Sequence, residues 1–430
     1  MARRNQPINA DVPPPGAGSA SSPEPPRRRR RVPGALKWLT ALVLIAVVFI
    51  VAAIVGGSNE GSSIPGAAPG GEQTTPTATA EATTPEPAET ESPEELGYPE
   101  FATNNTTRVG GADPASSAAG VALAVFPSQT PEQRPEAVVL VDEDDWQSAI
   151  AASVLMAEPV RAPLLVSKPG EVPDATEEAI GALDPTKAFV IGEADSPGGL
   201  RTTRIHGAGP AAAATIAKVR DKLLGGPPKQ VVVAPASKPA FAMPAAAWAA
   251  RSGDPVLYAD AESLPKATAA ALRRHPEVPV YVLGPSSAIS SSVVRRIAAI
   301  DPRVRRVSGE DPVSNAIALA RYSDGGFGWN VNDPGHGFVV ARSDSPLDAV
   351  AAAPLSASGT WGPLLLTDSA DTLPAALREY LLDVKPGYTT DPTRAFYNHV
   401  WVIGDQDAID VTQQSEIDEL AELAKIGGER

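Results

Sequence analysis

The sequence predicts an α/β protein in which three tandem repeats form short parallel sheets in a pseudo-threefold arrangement, preceded by one transmembrane helix and a disordered linker. Three observations lead to this prediction. An uncharged apolar segment lies near the N-terminus, a Pro/Thr/Glu-rich tract follows it, and a set of landmarks then recurs three times. Because each copy alternates short β-branched runs with helical periods, we expect parallel strands covered by helices on both faces.

The charge of the chain is distributed in three regimes. Its 430 residues carry 36 Lys and Arg against 51 Asp and Glu, a net charge of -15. Residues 1–37 are basic, residues 38–97 contain eight Glu and no Lys or Arg, and residues 98–430 hold the remaining 28 basic and 41 acidic side chains. This acidic balance argues against nucleic acid as a partner. Without cysteine, and with four scattered histidines, the sequence predicts no metal site and no cofactor.

Residues 38–57 are the predicted transmembrane helix. The segment WLTALVLIAVVFIVAAIVGG is uncharged, and as a helix it would be about 30 Å long, which matches a bilayer core. Basic residues precede it and acidic residues follow it. The positive-inside rule therefore places residues 1–37, a disordered basic tail, in the cytoplasm and the rest outside. A cleaved signal peptide with a small-residue site at residues 55–57 is the alternative. Residues 58–97 are predicted to form a flexible tether.

Residues 98–202, 203–302 and 303–430 are the three predicted repeats. Each opens with an Arg-apolar-x-Gly landmark, and the copies are Arg108–Pro114, Arg204–Pro210 and Arg306–Pro312. An apolar strand, an Ala-rich helix, a Pro-led strand, a helix opened by a second proline and a strand closed by glycine then follow. Their equivalent positions are Val138, Val231 and Phe338; Pro163, Pro255 and Pro363; Pro173, Pro265 and Pro374; and Gly192, Gly284 and Gly404. The third copy carries an insertion of about eleven residues around GYTTDPTRAF.

These landmarks resemble the cell-wall-binding repeat 2 family of Gram-positive surface proteins, which usually occurs as three tandem copies. The third copy matches best, because residues 347–354 (LDAVAAAP) stand at the family's Asp-Ala helix start. The resemblance covers residues 98–430. It implies a compact three-lobed region that lies outside the membrane, in the cell wall, and binds an anionic wall polysaccharide or peptidoglycan-linked polymer non-covalently, without catalysis. The family's Arg-Tyr-x-Thr after the opening glycine is replaced in all three copies, so the ligand contacts can differ.

Arg108, Arg204 and Arg306 are the candidate ligand-binding residues because they recur at one position of the repeat. Guanidinium groups pair well with the phosphate or carboxylate groups of a glycan. The alternative is that each closes a salt bridge between repeats. A dense basic group offers a local patch for a polyanion, or alternatively a solvated helix face; its members are Arg295, Arg296, Arg303, Arg305 and Arg306.

Two other classes of function stay open, a degenerate wall hydrolase and an envelope scaffold that binds another protein. An enzyme should bring two acids together in one cleft, a binder should show a basic or aromatic groove, and a scaffold should expose an apolar patch. No G-x-S-x-G, H-E-x-x-H, P-loop or G-x-G-x-x-G motif occurs, so no catalytic residue is predicted. The acidic run at residues 142–145 lacks the spacing of a calcium loop and is interpreted as a helix-start cluster.

Overall fold

The computed structural model of the protein describes residues 102–358 and 360–427. The predicted basic tail, transmembrane helix and linker, residues 1–37, 38–57 and 58–97, lie outside these residues. Among the helices described, none combines the length and the apolar character that crossing a membrane requires.

The described residues alternate strands with helices along the chain. The strands are β1 Thr106–Val109, β2 Ala137–Asp142, β3 Leu164–Ser167, β4 Lys187–Ile191, β5 Arg201–Ile205, β6 Val231–Pro235, β7 Val256–Ala259, β8 Val280–Leu283, β9 Val304–Val307, β10 Gly337–Arg342, β11 Leu364–Thr367, β12 Gly387–Tyr388, β13 His399–Ile403 and β14 Ala424–Lys425. The α-helices are α1 Pro114–Val125, α2 Trp146–Ala152, α3 Asp174–Leu183, α4 Gly209–Leu223, α5 Pro239–Ala242, α6 Pro244–Ser252, α7 Lys266–Arg274, α8 Ser291–Ala298, α9 Pro312–Arg321, α10 Pro346–Ala357, α11 Ala375–Asp383 and α12 Val411–Ala421. Short 3₁₀ helices occupy Pro131–Gln133, Ser153–Met156 and Pro392–Arg394.

Within the described residues, three four-stranded parallel sheets share one strand order. The orders are β3-β2-β4-β5, β7-β6-β8-β9 and β11-β10-β13-β1, and we call each sheet with its helices the first, second and third lobe. Strands β12 and β14 form a separate short parallel pair. The predicted α/β class with several short parallel sheets is confirmed. Each sheet has four strands instead of the three expected, because the arginine landmark itself forms the edge strand.

The strand that opens each predicted repeat pairs in the sheet of a neighbouring lobe. Strand β5 completes the first lobe and β9 the second, while β1, the first strand described, pairs with β13 in the third lobe. The helices that follow these strands, α1, α4 and α9, then pack against β3, β7 and β11, the far edge strands of the first, second and third lobes. The three lobes are therefore joined in a cycle of exchanged strands.

The Ala-rich helices form the centre of the molecule. Helix α10 packs against α6, α1 and α2, and its residues 349–353 are buried together with residues 245–250 of α6 and 149–152 of α2 in one apolar cluster. Small side chains allow helix axes to approach closely. Separate apolar clusters lie in the second and third lobes. The sheets are thus covered on both faces, as the continuous apolar strands predicted.

The prolines predicted to open helices lie one residue earlier than expected. Pro173, Pro265 and Pro374 are the N-caps of α3, α7 and α11, in extended backbone, instead of the first helical residues. The proline ring fixes φ near the value that the residue before the helix requires. The proline nitrogen carries no hydrogen, so no N–H group is left without an acceptor there. The helices themselves are where the sequence placed them.

Candidate functional site

The three predicted arginines occupy equivalent positions at the edges of the three sheets. Each donates a hydrogen bond from Nη1 to the carbonyl oxygen of the glycine that closes the neighbouring strand. The pairs are Arg108 with Gly404 at 2.9 Å, Arg204 with Gly192 at 2.7 Å, and Arg306 with Gly284. The glycines have φ of +93°, +64° and +91°, a region that glycine adopts without strain, so the predicted sharp turn is present. Each arginine therefore ties the opening strand of one repeat to a turn of another.

The environments of these arginines differ greatly. Arg108 is completely buried, and its guanidinium also donates to the carbonyls of Asp405 and Ile409 and to the Gln414 side chain, at 2.5–3.0 Å. Arg306 is half-buried, and burial lowers its pKa. Arg204 is exposed. This geometry favours a structural role in which each arginine hydrogen-bonds main-chain carbonyls, instead of forming the salt bridge considered above. Ligand contact by the three arginines stays a prediction.

The N-termini of several helices are already occupied by the protein's own carboxylates. Asp113, Asp311 and Asp410 accept main-chain N–H bonds at the starts of α1, α9 and α12, at 2.7–2.9 Å. Asp145 accepts from Ser148 N at 3.1 Å and also from Gly209 N at 3.1 Å, so it caps both α2 and α4. The acidic run at residues 142–145 is therefore a helix-start cluster, as interpreted from the sequence. Because the positive ends of these helices are satisfied, they offer little to a polyanion.

The carboxyl edge of the third sheet forms an acidic cleft of about 340 Å³. Five carboxylates and one guanidinium line it: Asp113, Asp344, Asp348, Asp405, Asp407 and Arg342. Arg342 pairs with Asp344 at 2.6 Å. Burial, together with the charges of Asp344, Asp405 and Asp113, raises the pKa of Asp348 to about 6. Within the described residues, no group of three acidic or histidine side chains is placed to hold a metal ion.

A basic groove of about 820 Å³ lies between α7 and α8 in the second lobe. Its charged lining residues are Lys266, Arg273 and Arg296, and no carboxylate lines it among the described residues. Lys266 and Arg273 have no hydrogen-bond or ion-pair partner in the described part of the chain, and Arg296 donates from Nη1 to the Glu262 carbonyl at 3.2 Å. An apolar floor completes the groove: Leu264, Ala269, Pro276, Ala299 and Ile300.

The basic group predicted from residues 295–306 does not act as one patch. Only Arg296 reaches the basic groove, while Arg303 pairs with Asp301 at 3.6 Å and Arg305 pairs with Asp324. Sequence reasoning missed Lys266 and Arg273, which lie in a different helix. Their separation of seven residues, two helical turns, places both on one face of α7 and was the signal available.

Comparison with known proteins supports the resemblance of two of the repeats to a known family. The family model described as Cell wall binding domain 2 (CWB2) matches residues 208–294 and 306–413, which confirms the predicted resemblance for the second and third repeats. The fold is similar to Cwp6 from Clostridium difficile, with a TM-score of 0.61 and 21% identity over 74% of this chain and 48% of that chain. It is also similar to Cwp8 from Clostridium difficile, with a TM-score of 0.57 and 21% identity over 74% of this chain and 52% of that chain. This chain therefore spans about half the length of each of these two proteins. No curated protein sequence matches it.

Proposed function

We propose that this chain, two of whose repeats match a cell-wall-binding family, holds an anionic wall polymer non-covalently and without catalysis. The polymer would be a polysaccharide or a peptidoglycan-linked chain that carries phosphate or carboxylate groups. The observation that carries this choice is the basic groove. A region with 28 basic and 41 acidic side chains repels a polyanion overall, so binding requires a place where cations are concentrated and carboxylates are excluded.

The basic groove meets this requirement. Lys266 and Arg273 have ammonium and guanidinium groups that no carboxylate neutralises within the described residues. Each can donate charge-assisted hydrogen bonds to an anionic oxygen. The apolar floor lets the aliphatic stems of the cations lie flat and gives a sugar ring a surface to cover. Arg108, Arg204 and Arg306 remain candidate contacts in this proposal, and Arg204 is the most exposed of them.

The proposal includes a membrane anchor and an orientation. Residues 1–37 lie in the cytoplasm, residues 38–57 span the membrane, and residues 58–97 extend the repeats, 98–202, 203–302 and 303–430, into the wall. The positive-inside rule supports this order. The cycle of exchanged strands supports the pseudo-threefold arrangement of the repeats. Protease added to intact spheroplasts should remove residues 98–430, and complete protection of this region would contradict the orientation.

Wall co-sedimentation with charge variants tests the binding function. The full chain in detergent is mixed with purified cell walls at low salt, and the Lys266→Gln/Arg273→Gln variant is compared with Lys222→Gln/Arg295→Gln. Both variants lose two exposed positive charges, but only the first pair lines the basic groove. We expect the groove variant to bind about tenfold more weakly and the control to bind like wild type. Equal losses would mean that only net charge matters, and wild type that fails to sediment with walls would contradict the function.

The acidic cleft supports a second candidate function, hydrolysis of a wall glycan. Asp348, with its pKa raised to about 6, can hold a proton closer to neutral pH than an ordinary carboxyl and lies in a cleft with other carboxylates. Release of reducing sugar from walls by wild type, and its loss in Asp348→Asn, would support this candidate. Absence of release by the wild-type chain would contradict it and leave the binding proposal intact.

A further inference from the structure

A second cavity in the third lobe lies at the opposite edge of the sheet, where strands β10 and β13 begin. It encloses about 480 Å³, within the range of about 300–1,000 Å³ that small-ligand pockets occupy. We call it the aromatic pocket, and the lining residues that matter are His336, Leu355, Tyr397, His399 and Trp401. None of the described residues that line it is Lys, Arg, Asp or Glu.

The walls of the aromatic pocket are held in place by hydrogen bonds. Asn398, 4% exposed, accepts the main-chain N–H bonds of Gly335 and His336 at 2.9 and 3.1 Å and donates to the Val384 carbonyl at 2.8 Å. Tyr397 donates its hydroxyl to the Pro392 carbonyl at 2.9 Å, which fixes a ring that is more than half exposed. The pocket is therefore preorganised.

Polar groups in the aromatic pocket suit hydroxyls and disfavour anions. His399 hydrogen-bonds to the Thr107 hydroxyl at 3.1 Å, and burial lowers its pKa, which favours the neutral imidazole. The C-terminal turns of α1 and α10 border the cavity at Val125 and Leu355. Helix C-termini present unpaired carbonyl oxygens and a partial negative charge, which accept hydroxyl protons and repel phosphate or carboxylate.

The equivalent position in the second lobe indicates what kind of group packs against the aromatic residue of strand β13. The strand register makes Trp401 of the third lobe the counterpart of Tyr281 in the second, since they pair with Val339 and Val232 at equivalent places. In the second lobe the ring of Phe327 lies flat on Tyr281, with centroids 3.9 Å apart and planes 10° apart. In the third lobe Trp401 instead lines the cavity. A flat, partly apolar group is therefore the complement of the pocket.

Aromatic exposure is concentrated in this lobe. In a chain with 5% aromatic residues, the exposed aromatic side chains among the described residues are Trp361, Phe396 and Tyr397. Phe396 is the last residue of the GYTTDPTRAF segment that distinguishes the third copy, and Tyr397 follows it directly. Aromatic rings bordered by polar groups suit a ligand that has both an apolar face and hydroxyl groups.

We propose that the aromatic pocket binds an uncharged sugar unit of the wall glycan, with the apolar C–H face of the sugar on Tyr397 and Trp401 and its hydroxyls on the histidines and helix carbonyls. This inference rests on the proposed function in one respect, that the wall supplies the ligand. The third lobe would then bind a neutral part of the ligand, whereas the basic groove of the second lobe would bind anionic groups.

Co-sedimentation with phosphate-stripped walls tests this site. Walls treated with hydrofluoric acid, which cleaves phosphodiester-linked polymers, are mixed with the full chain in 1 M salt, where the Debye length is about 3 Å and exposed charges are screened. We expect wild type to bind these walls and Tyr397→Ala to bind about tenfold more weakly. Tyr397→Phe, which keeps the ring but loses its bond to the Pro392 carbonyl, should bind more strongly than Tyr397→Ala. Leu382→Ala, which removes an exposed apolar side chain elsewhere in the lobe, should bind like wild type.

The outcomes separate this inference from the proposed function. If wild type binds untreated walls but not stripped walls in 1 M salt, the proposed role of the aromatic pocket is wrong. The proposed role of the basic groove is then unaffected. Wild-type strength in Tyr397→Ala would also overturn the role of the aromatic pocket. A failure of wild type on untreated walls at low salt would instead overturn the proposed function. Melting temperatures of all variants verify that each remains folded.

Discussion

The second and third lobes have the same strand order and register but opposite surface charge. The second lobe presents the basic groove on α7 and α8, whereas the third gathers five carboxylates in the acidic cleft and adds the aromatic pocket. At the position of Asp348, counted from equivalent strand residues, the second lobe has Phe241 and the first has Ser148. The buried strands barely differ, and the difference lies in loops and helix faces. Three copies of a fold are therefore not three copies of a site.

Substitution of the repeated arginines should produce the largest contrast between lobes. In Arg108→Gln the carbonyls of Gly404, Asp405 and Ile409 lose their buried donor, and we expect the free energy of unfolding to fall by about 3–5 kcal/mol. Arg204→Gln, at an exposed site, should change it by about 0.5 kcal/mol. Urea unfolding of both variants measures the difference. Equal destabilisation would show that burial does not decide the role of these arginines.

The acidic cleft should make the stability of the third lobe depend on pH. The folded pKa of Asp348, about 6, lies above its ordinary value of 3.8, so the folded chain holds the proton more tightly than the unfolded chain. The contribution of this group is therefore most favourable below about pH 4 and is lost as pH rises to about 6, by about 3 kcal/mol in all.

Asp348→Asn tests this dependence. The variant should be more stable than wild type at pH 7 and should lack the decline between pH 4 and pH 6. Free energies of unfolding across that range, with Asp371→Asn as an exposed control outside the cleft, provide the measurement. A wild-type curve that does not fall in this window would contradict the raised pKa.

The smallest expected effect concerns ligand contact by Arg204. Its Nη1 group is engaged by the carbonyls of Gly192 and Ala194, at 2.7 and 3.0 Å, while the side chain remains exposed. If Arg204 also contacts the polymer, Arg204→Gln should reduce wall co-sedimentation by about twofold to fivefold without lowering the melting temperature. Unchanged co-sedimentation by the folded variant would exclude Arg204 as a contact.

Local patterns predicted the strands and helices because their causes are local. Apolar runs placed nine of the strands, and the recurring prolines placed α3, α7 and α11. The edge strands were missed because arginine and threonine interrupt any apolar run in them, as in the sequences TTRV of β1, RTTRI of β5 and VRRV of β9. Pairing of β1 with β13 joins distant parts of the chain, and no local pattern encodes it.

The candidate sites were less predictable because they depend on what folding brings together. Arg108 and Arg204 have the same motif, yet one is buried and the other exposed, since only the first is covered by Gln414 and the turn at Asp405. The basic groove combines side chains from two helices. The aromatic pocket combines residues of β13 with the C-terminal ends of helices α1 and α10. Only the insertion that leads to Tyr397 was visible as an anomaly of the third repeat.

The exchange of β1 into the third lobe has a consequence for the order of folding during synthesis. Strand β1 emerges from the ribosome first among the strands described, but its partner β13 follows far later in the chain, and the acceptor Gln414 lies 306 residues after Arg108. The loop that this pairing closes is long, and closure entropy grows with loop length. Strand β1 therefore stays without its sheet partner until β13 has been synthesised. A nascent or truncated chain that ends before β13 presents an open β-edge with an unsatisfied arginine, which is a template for pairing with another chain.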